Sequence, residues 1–315
     1  MKVLITGGAG FIGTHLTKRM LELGNEVISV DNFLLGMKEN VDIFEGNKNY
    51  RFIELDISDT SSFCNALKKE KIDIVYHLAA NSDIGKGGQR PNIDYNNTFK
   101  TTISVLELMI QNNIKNVFFS STSAIYGDKL GEIIKEESEP LPISYYGGSK
   151  LASESFIYAY THMNDLNSMI FRFPNVIGPN LTHGVIYDFY HKLLYNPYEL
   201  AILGDGTQTK QYIYVTDLID AIIYMTIDNN FNGLNIYNIG AIGETSVKEI
   251  ADIVCDVLEY KNVKYKYSGG KIGWKGDVAK FKYDITKITK MGWHAKYTST
   301  EAVVKTVQSL KERQT

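Results

Sequence analysis

The sequence is poor in several things, and each scarcity excludes a class. It has two cysteines, Cys64 and Cys255, far apart and in no C-x-x-C pair. A disulfide framework is thereby excluded, and both thiols read as small buried hydrophobes. Its six prolines gather into no low-complexity tract, and there is no internal repeat. The formal charge of −3 gives no electrostatic reason to expect nucleic acid or an anionic membrane as partner. No apolar run reaches membrane-spanning length. The opening "MKVLITGGAG" turns to glycine after six residues, so it reads as a strand and not as a leader, and a cytoplasmic location is expected. The six histidines form no H-E-x-x-H or comparable spacing, so no metal is expected. What remains is an ordinary globular composition, long enough for one large domain or two fused lobes.

The first half alternates two periods. "KVLI", "EVISV", "RFIEL", "DIVYHLA" and "NVFFSS" are short apolar runs that read as buried strands. Between them lie amphipathic stretches such as "THLTKRMLELG", closed by a glycine of the C-capping type. Such alternation predicts a parallel sheet covered on both faces. "SMIFRF" adds a later strand. After about residue 175 the rhythm breaks into mixed helices and short strands. In "TSVKEIADIVCDVLEY", Ser246 and Glu249 match a capping box ahead of helically spaced apolar residues. The expected fold is α/β: a doubly wound, Rossmann-type parallel sheet over residues 1–174, with a later segment returning to it. A smaller α+β lobe over 175–315 follows, and the cleft between them is the default binding site.

"TGGAGFIG" places Gly7, Gly10 and Gly13 directly after the first strand and at the mouth of a helix. Glycine there allows a tight turn, close approach of backbone to a pyrophosphate and close helix–strand packing, while the helix start offers free N–H groups. Alone, the pattern equally describes a flexible turn. Asp31 ends the second strand, eighteen residues past Gly13. A carboxylate at that place accepts from a ribose 2′-OH and repels a 2′-phosphate, which favours NAD over NADP. Asp56, in "ELDIS", falls near the adenine or else caps a helix.

"PISYYGGSK" poses a choice between Tyr145 and Tyr146. Only residues three or four apart share a helix face. Tyr146 therefore faces Lys150 and Tyr145 does not. A phenol has a reference pKa of about 10, and a neighbouring cation lowers it. On that argument Lys150, helped by the positive ring of a bound nicotinamide, makes Tyr146 the base. A surface tyrosine–lysine pair is the bland alternative.

"TGGAGFIG", "VDN", "LDIS", "HLAA", "NN" at 96–97, "SSTSAIYG", "YGGSK", "RFPNVIGP" and "YIYVTD" occur in this order through residue 217. The chain resembles the extended short-chain dehydrogenase/reductases of the NAD-dependent epimerase/dehydratase family, most of all their UDP-galactose 4-epimerase branch. The resemblance implies an isomerase with tightly bound NAD, a nucleotide-sugar partner, and a homodimer formed through helices that include the Tyr146 segment. It implies Thr122, Tyr146 and Lys150 as catalytic residues. For the cofactor it implies Gly7, Gly10, Phe11, Ile12 and Gly13; Asp31, Asn32, Asp56 and Ile57; Leu78, Ala79, Ala80, Ser82 and Asn97; and Ser120, Tyr146, Lys150 and Pro174. For the substrate it implies Ser82, Thr122, Tyr146, Asn175, His183, Val185, Lys210, Asp277 and Phe281.

The motif around Thr122 discriminates between reactions. The family's 4,6-dehydratases carry an Asp–Glu pair just after the threonine, and its decarboxylases a glutamate in the same loop. Here Ser123 and Ala124 stand there, so elimination lacks its acid and base. Two places depart from the family pattern. Lys210 replaces an arginine on the diphosphate and loses its bidentate fork. Trp274 replaces a second arginine. Phe281, four places after the retained Asp277, stands where the family gates the sugar C2 substituent; its bulk predicts a preference for plain over N-acetylated hexoses.

Overall fold

The structure is a computed structural model that describes residues 1–129, 131–229, 231–270 and 282–313. Trp274, Asp277 and Phe281 lie outside the described residues.

The apolar runs of the first half form one seven-stranded sheet. Its strands are β1 (Lys2–Thr6), β2 (Glu26–Asp31), β3 (Tyr50–Glu54), β4 (Ile74–His77), β5 (Asn116–Thr122), β6 (Asn167–Phe173) and β7 (Leu234–Asn238). The strand order is β7-β6-β5-β4-β1-β2-β3, so the chain winds outward in both directions from β1. The β1–β2, β2–β3, β1–β4 and β4–β5 pairs are parallel. Parallel strands need crossovers, and helices cover the faces. That is why Val3, Leu4 and Ile5, or Val75 and Tyr76, are buried without alternation. This is an α/β, Rossmann-type, doubly wound sheet.

The crossovers are α1 (Phe11–Glu22), α2 (Thr60–Leu67), α3 (Thr101–Asn112) and α4 (Tyr145–Asn164). Phe63, Leu67, Val105, Leu106 and Met109 from α2 and α3 pack with Leu4, Val75 and Val117 of the sheet in one core. Helix α3 is entered through a π-helical turn, Tyr95–Lys100. Asn113 ends α3 in the left-handed conformation, φ 53°. A second π-helical turn, Tyr224–Asp228, lets Thr226 Oγ1 meet the Tyr76 hydroxyl at 2.9 Å. Neither π turn has a signature that sequence periodicity detects.

By internal contacts the chain forms two compact units. The first comprises Met1–Ile125, Pro140–Arg172 and Ile222–Tyr237; the second comprises Tyr126–Glu139, Phe173–Ala221 and Asn238–Thr315. Within the second, Asn175–Ile177 pairs in parallel with Tyr212–Tyr214, and Glu199–Ile202 with Lys264–Tyr267. Its helices are α5 (Val185–Tyr195), α6 (Val215–Ile223, whose last turn enters the first unit), α7 (Val247–Leu258) and α8 (Ser299–Glu312). The predicted capping box is present: Ser246 Oγ accepts from Glu249 N–H at 3.1 Å, and Glu249 Oε2 from Ser246 N–H at 2.7 Å. Thr298 and Glu301 form a second box at the start of α8 that the sequence reading did not pick out.

Candidate active site

The first unit brings the glycine loop, the segment after β4, the end of β5 and the start of α4 to the carboxyl ends of the strands. Gly7 has φ +74°, a conformation that L side chains rarely adopt. A Cβ there would lie 2.7 Å from the Ala79 nitrogen, and one at Gly13 would overlap the Gly7 carbonyl. The glycines thus let the loop lie against the Leu78–Ala80 backbone and the helix start lie against the loop. Gly10 caps α1 without any side chain, and the first bond inside the helix is Thr14 N–H to the Gly10 carbonyl, 3.0 Å. The first-turn N–H groups of Phe11, Ile12 and Gly13 precede it, which is the arrangement that receives a pyrophosphate.

Asp31 accepts the Ala9 N–H at 3.1 Å through one oxygen and the Phe33 N–H at 2.9 Å through the other. Burial is the largest influence on its carboxyl and raises its pKa, against those N–H groups. Asn32 is exposed and accepts from Leu34 N–H at 3.0 Å. Asp56 is exposed and accepts from Ser58 N–H at 2.8 Å, while Asp59 is the residue that caps α2. Ile57 is buried, Ser82 exposed, and Asn97 half-buried in the π turn. Leu78 and Ala79 are held to Thr6 by backbone and hydroxyl bonds of 3.1 and 3.3 Å. A glycine cradle, a free helix start and a carboxylate at the end of β2 are chemically suited to a dinucleotide with an unphosphorylated ribose.

Ser144 opens α4: extended at φ −131°, ψ 154°, it accepts the Gly147 N–H at 3.1 Å. This cap sets the helical phase. Tyr145 is 54% exposed, whereas Tyr146 turns inward and its hydroxyl shares a hydrogen bond with the Thr122 side chain. Gly147 is required by contact, since a Cβ there would overlap the Ala124 carbonyl. Lys150 is buried; its Nζ donates to the Ser120 carbonyl at 2.6 Å and lies 4.6 Å from the centre of the Phe119 ring.

The electrostatics differ from the sequence argument. Lys150 was expected to lower the Tyr146 pKa, yet burial pushes Tyr146 up to about 12, Asp94 adds to the rise and only the Thr122 hydroxyl opposes it. Burial likewise pulls Lys150 down to about 7, against the charge of Glu154. The reason is placement. The ammonium is engaged with β5 and not with the phenol, and desolvation penalises the charged form of both groups.

Several groups were missed from sequence. His77 bridges Thr6 Oγ1 (2.8 Å) and Thr102 Oγ1 (3.0 Å), and Thr102 donates to Ser153 of α4 at 3.0 Å. Burial drives the His77 pKa down to about 3, so it remains neutral. Asp94, also buried, accepts from Asn81 Nδ2 at 2.8 Å. Glu154 is buried against Ser121 and Arg172. Its spacing from Lys150, one helical turn, was the legible signal. The two threonines and the histidine gave none, because their partners are distant in sequence.

Of the residues expected to touch substrate, Ser82, Thr122 and Tyr146 belong to the first unit. Asn175, His183, Val185 and Lys210 belong to the second, as does Pro174. Asn175 is exposed at the start of its strand. His183 is exposed, with Nδ1 3.1 Å from Thr182 Oγ1, and Val185 is the first residue of α5. Lys210 is half-buried in the Thr209–Lys210 strand, paired with Thr245–Ser246. Asp277 and Phe281 are outside the described residues. Among the described residues no group of His, Cys, Asp and Glu is placed to hold a metal ion, and no helix is long and apolar enough to cross a membrane.

Residues 3–240 match the family model "NAD dependent epimerase/dehydratase family". The solved UDP-glucose 4-epimerase of Thermotoga maritima with UDP-glucose is 30% identical, over all of both chains, with a TM-score of 0.89. UDP-arabinose 4-epimerase 1 of Arabidopsis thaliana is 31% identical over 96% of this chain and 78% of its own. Human dTDP-D-glucose 4,6-dehydratase is 28% identical over 99% of this chain and 90% of its own. With more than half of its length matched by the family model, the chain belongs to the NAD-dependent epimerase/dehydratase family.

Proposed function

We propose that the protein is a nucleotide-sugar 4-epimerase that interconverts UDP-glucose and UDP-galactose through a transient 4-keto sugar, with NAD held by the first unit and the sugar nucleotide by the second. The observation that carries the choice of reaction is the turn after Thr122. The single turn Ser123–Tyr126 begins with a serine and an alanine, where a dehydratase needs an acid and a base.

Bound NAD supplies a hydride acceptor at C4 and returns the hydride, so it is regenerated in each turnover. With the positive ring of bound NAD favouring its phenolate form, Tyr146 would take the O4 proton, and the Thr122 hydroxyl, bonded to it, would shorten the proton's path. Tyr146 keeps that proton while the keto sugar turns over, and gives it back to O4 on the other face. Lys150 holds the carbonyl of Ser120 within β5 and would offer its remaining N–H groups to the cofactor. Lys150 is buried and Tyr146 half-buried, which limits the water competing for the proton.

Lys210 and Asn175 are assigned to the diphosphate, and Phe281 to the C2 side of the sugar. Another nucleotide sugar is the second reading, and the arabinose-epimerase relative gives it weight. The deciding experiment incubates purified protein with UDP-glucose, UDP-galactose, UDP-arabinose, their N-acetyl and uronic analogues and dTDP-glucose, followed by chromatography. Formation of a C4 isomer of UDP-glucose without added NAD supports the proposal. Release of water to a 4-keto-6-deoxy product, or net NADH accumulation, refutes it.

A further inference from the structure

Behind Tyr146 and Lys150 lies a buried ion pair that the reaction above does not use. Glu154 is 5% exposed and Arg172 6%. The Arg172 guanidinium reaches both Glu154 oxygens, Nε at 3.0 and 3.2 Å and Nη2 at 2.6 Å. Ser121 Oγ donates to the same carboxylate. Ser121 is flanked by Ser120, whose carbonyl holds Lys150, and Thr122, whose side chain holds Tyr146. Alternate residues of a strand face opposite ways, so fixing Ser121 fixes the orientation of both neighbours. Glu154 also sits one turn after Lys150 on α4, within reach of its charge.

We propose that Glu154 is a positioning residue: it pins the end of β5 through Ser121 and is the counter-charge that keeps Lys150 an ammonium in the cofactor site. Arg172 in turn fixes the carboxylate. A buried ion pair is poor evidence for stability, since desolvation offsets much of the attraction. Its retention at this place is explained by what it does to Lys150. Burial lowers the Lys150 pKa and Glu154 is the influence that raises it. His77 of β4 also feels the Lys150 charge and is neutral.

The inference rests on the reading that Lys150 faces NAD, and its test does not need sugar turnover. The affinity of cofactor-stripped protein for NAD, measured by calorimetry between pH 5.5 and 9.5, is expected to weaken as Lys150 loses its proton. Glu154→Gln keeps the size and can still bond Ser121 but removes the charge. It is expected to move that midpoint down by about one pH unit or more, the scale of one unit charge at helical-turn distance. Glu154→Asp, which keeps the charge, is expected to restore the midpoint. If Glu154→Gln does not fold, Glu154→Gln with Arg172→Met removes both buried charges and is expected to move the midpoint down by less, because Lys150 then loses a neighbouring cation together with its counter-charge. A folded variant lacking the charge but keeping the wild-type midpoint overturns the proposal. Wild-type protein that binds NAD but isomerises no sugar nucleotide defeats the epimerase reading alone and leaves this result to stand.

Discussion

Lys150 Nζ donates to the Ser120 carbonyl at 2.6 Å, so α4 is fastened to β5 by the same group that is proposed to meet the cofactor. The fastening has a measurable cost. Burial pulls Lys150 from its unfolded value of 10.5 down to about 7. Between those values the unfolded chain binds more protons than the folded one, so stability rises with pH across that window and is lowest below pH 7. Tyr146, raised to about 12 from 10, acts oppositely and only above pH 10. Cofactor-stripped protein is therefore expected to melt higher at pH 9 than at pH 6.5 by an amount on the order of 1–3 kcal/mol. Lys150→Met is expected to abolish most of that difference, as read by thermal melts of both proteins.

Tyr146→Phe removes only a hydroxyl. It is expected to retain NAD and lose about 10²–10⁴-fold in turnover, the usual contribution of an acid–base group. Tyr145→Phe, on the exposed side of the helix, is expected to lose far less. Equal losses in steady-state assays would contradict the assignment of the proton to Tyr146.

The adjacent glycines of α4 separate contact from conformation. Gly148 has nothing within 4 Å of an added Cβ, and Gly147 has the Ala124 carbonyl. Gly148→Ala is expected to stabilise the helix by about 0.4–1 kcal/mol. Gly147→Ala must push α4 away from the Ser123–Tyr126 turn, and is expected to destabilise by about 1–3 kcal/mol and to lower activity. Urea unfolding of the two variants checks the contrast.

Asp31 holds the Ala9 and Phe33 N–H groups, and its carboxylate would repel a 2′-phosphate. NAD is expected to bind the stripped protein much more tightly than NADP, and Asp31→Ser to narrow the gap. Calorimetry giving equal wild-type affinities would remove Asp31 from the cofactor site.

A homodimer through α4 is the expectation. Phe156 and Met163, two turns apart on one face of the helix, are 44 and 82% exposed, and Phe156 stacks edge-on against Phe99 of the π turn. An apolar face of that kind is what an association surface requires. Sedimentation is expected to show a dimer, weakened by Met163→Glu.

The parallel sheet was legible in the sequence because its signals are local. Gly7, Gly10 and Gly13 stand six residues apart in total, and Tyr146 is one turn from Lys150, so period and spacing suffice. The electrostatics were not legible. Which way the Tyr146 pKa moves depends on how deeply β5 and α4 bury it, and on Asp94, which is far away in sequence. The π turns escaped for the same reason: no repeat of apolar residues announces them. Lys210 and Asn175 were readable only by likeness, since an isolated lysine or asparagine carries no periodicity.

The chain passes from one unit to the other at 125–126, 139–140, 172–173, 221–222 and 237–238. Neither unit is therefore a separable cassette. A gene cut after residue 174 would yield a sheet lacking its outer strand, β7, and a remainder lacking Tyr126–Glu139. New sugar specificity cannot be grafted by exchanging a terminal half. It has to be acquired in place, residue by residue, with the cofactor machinery threaded through the same fabric.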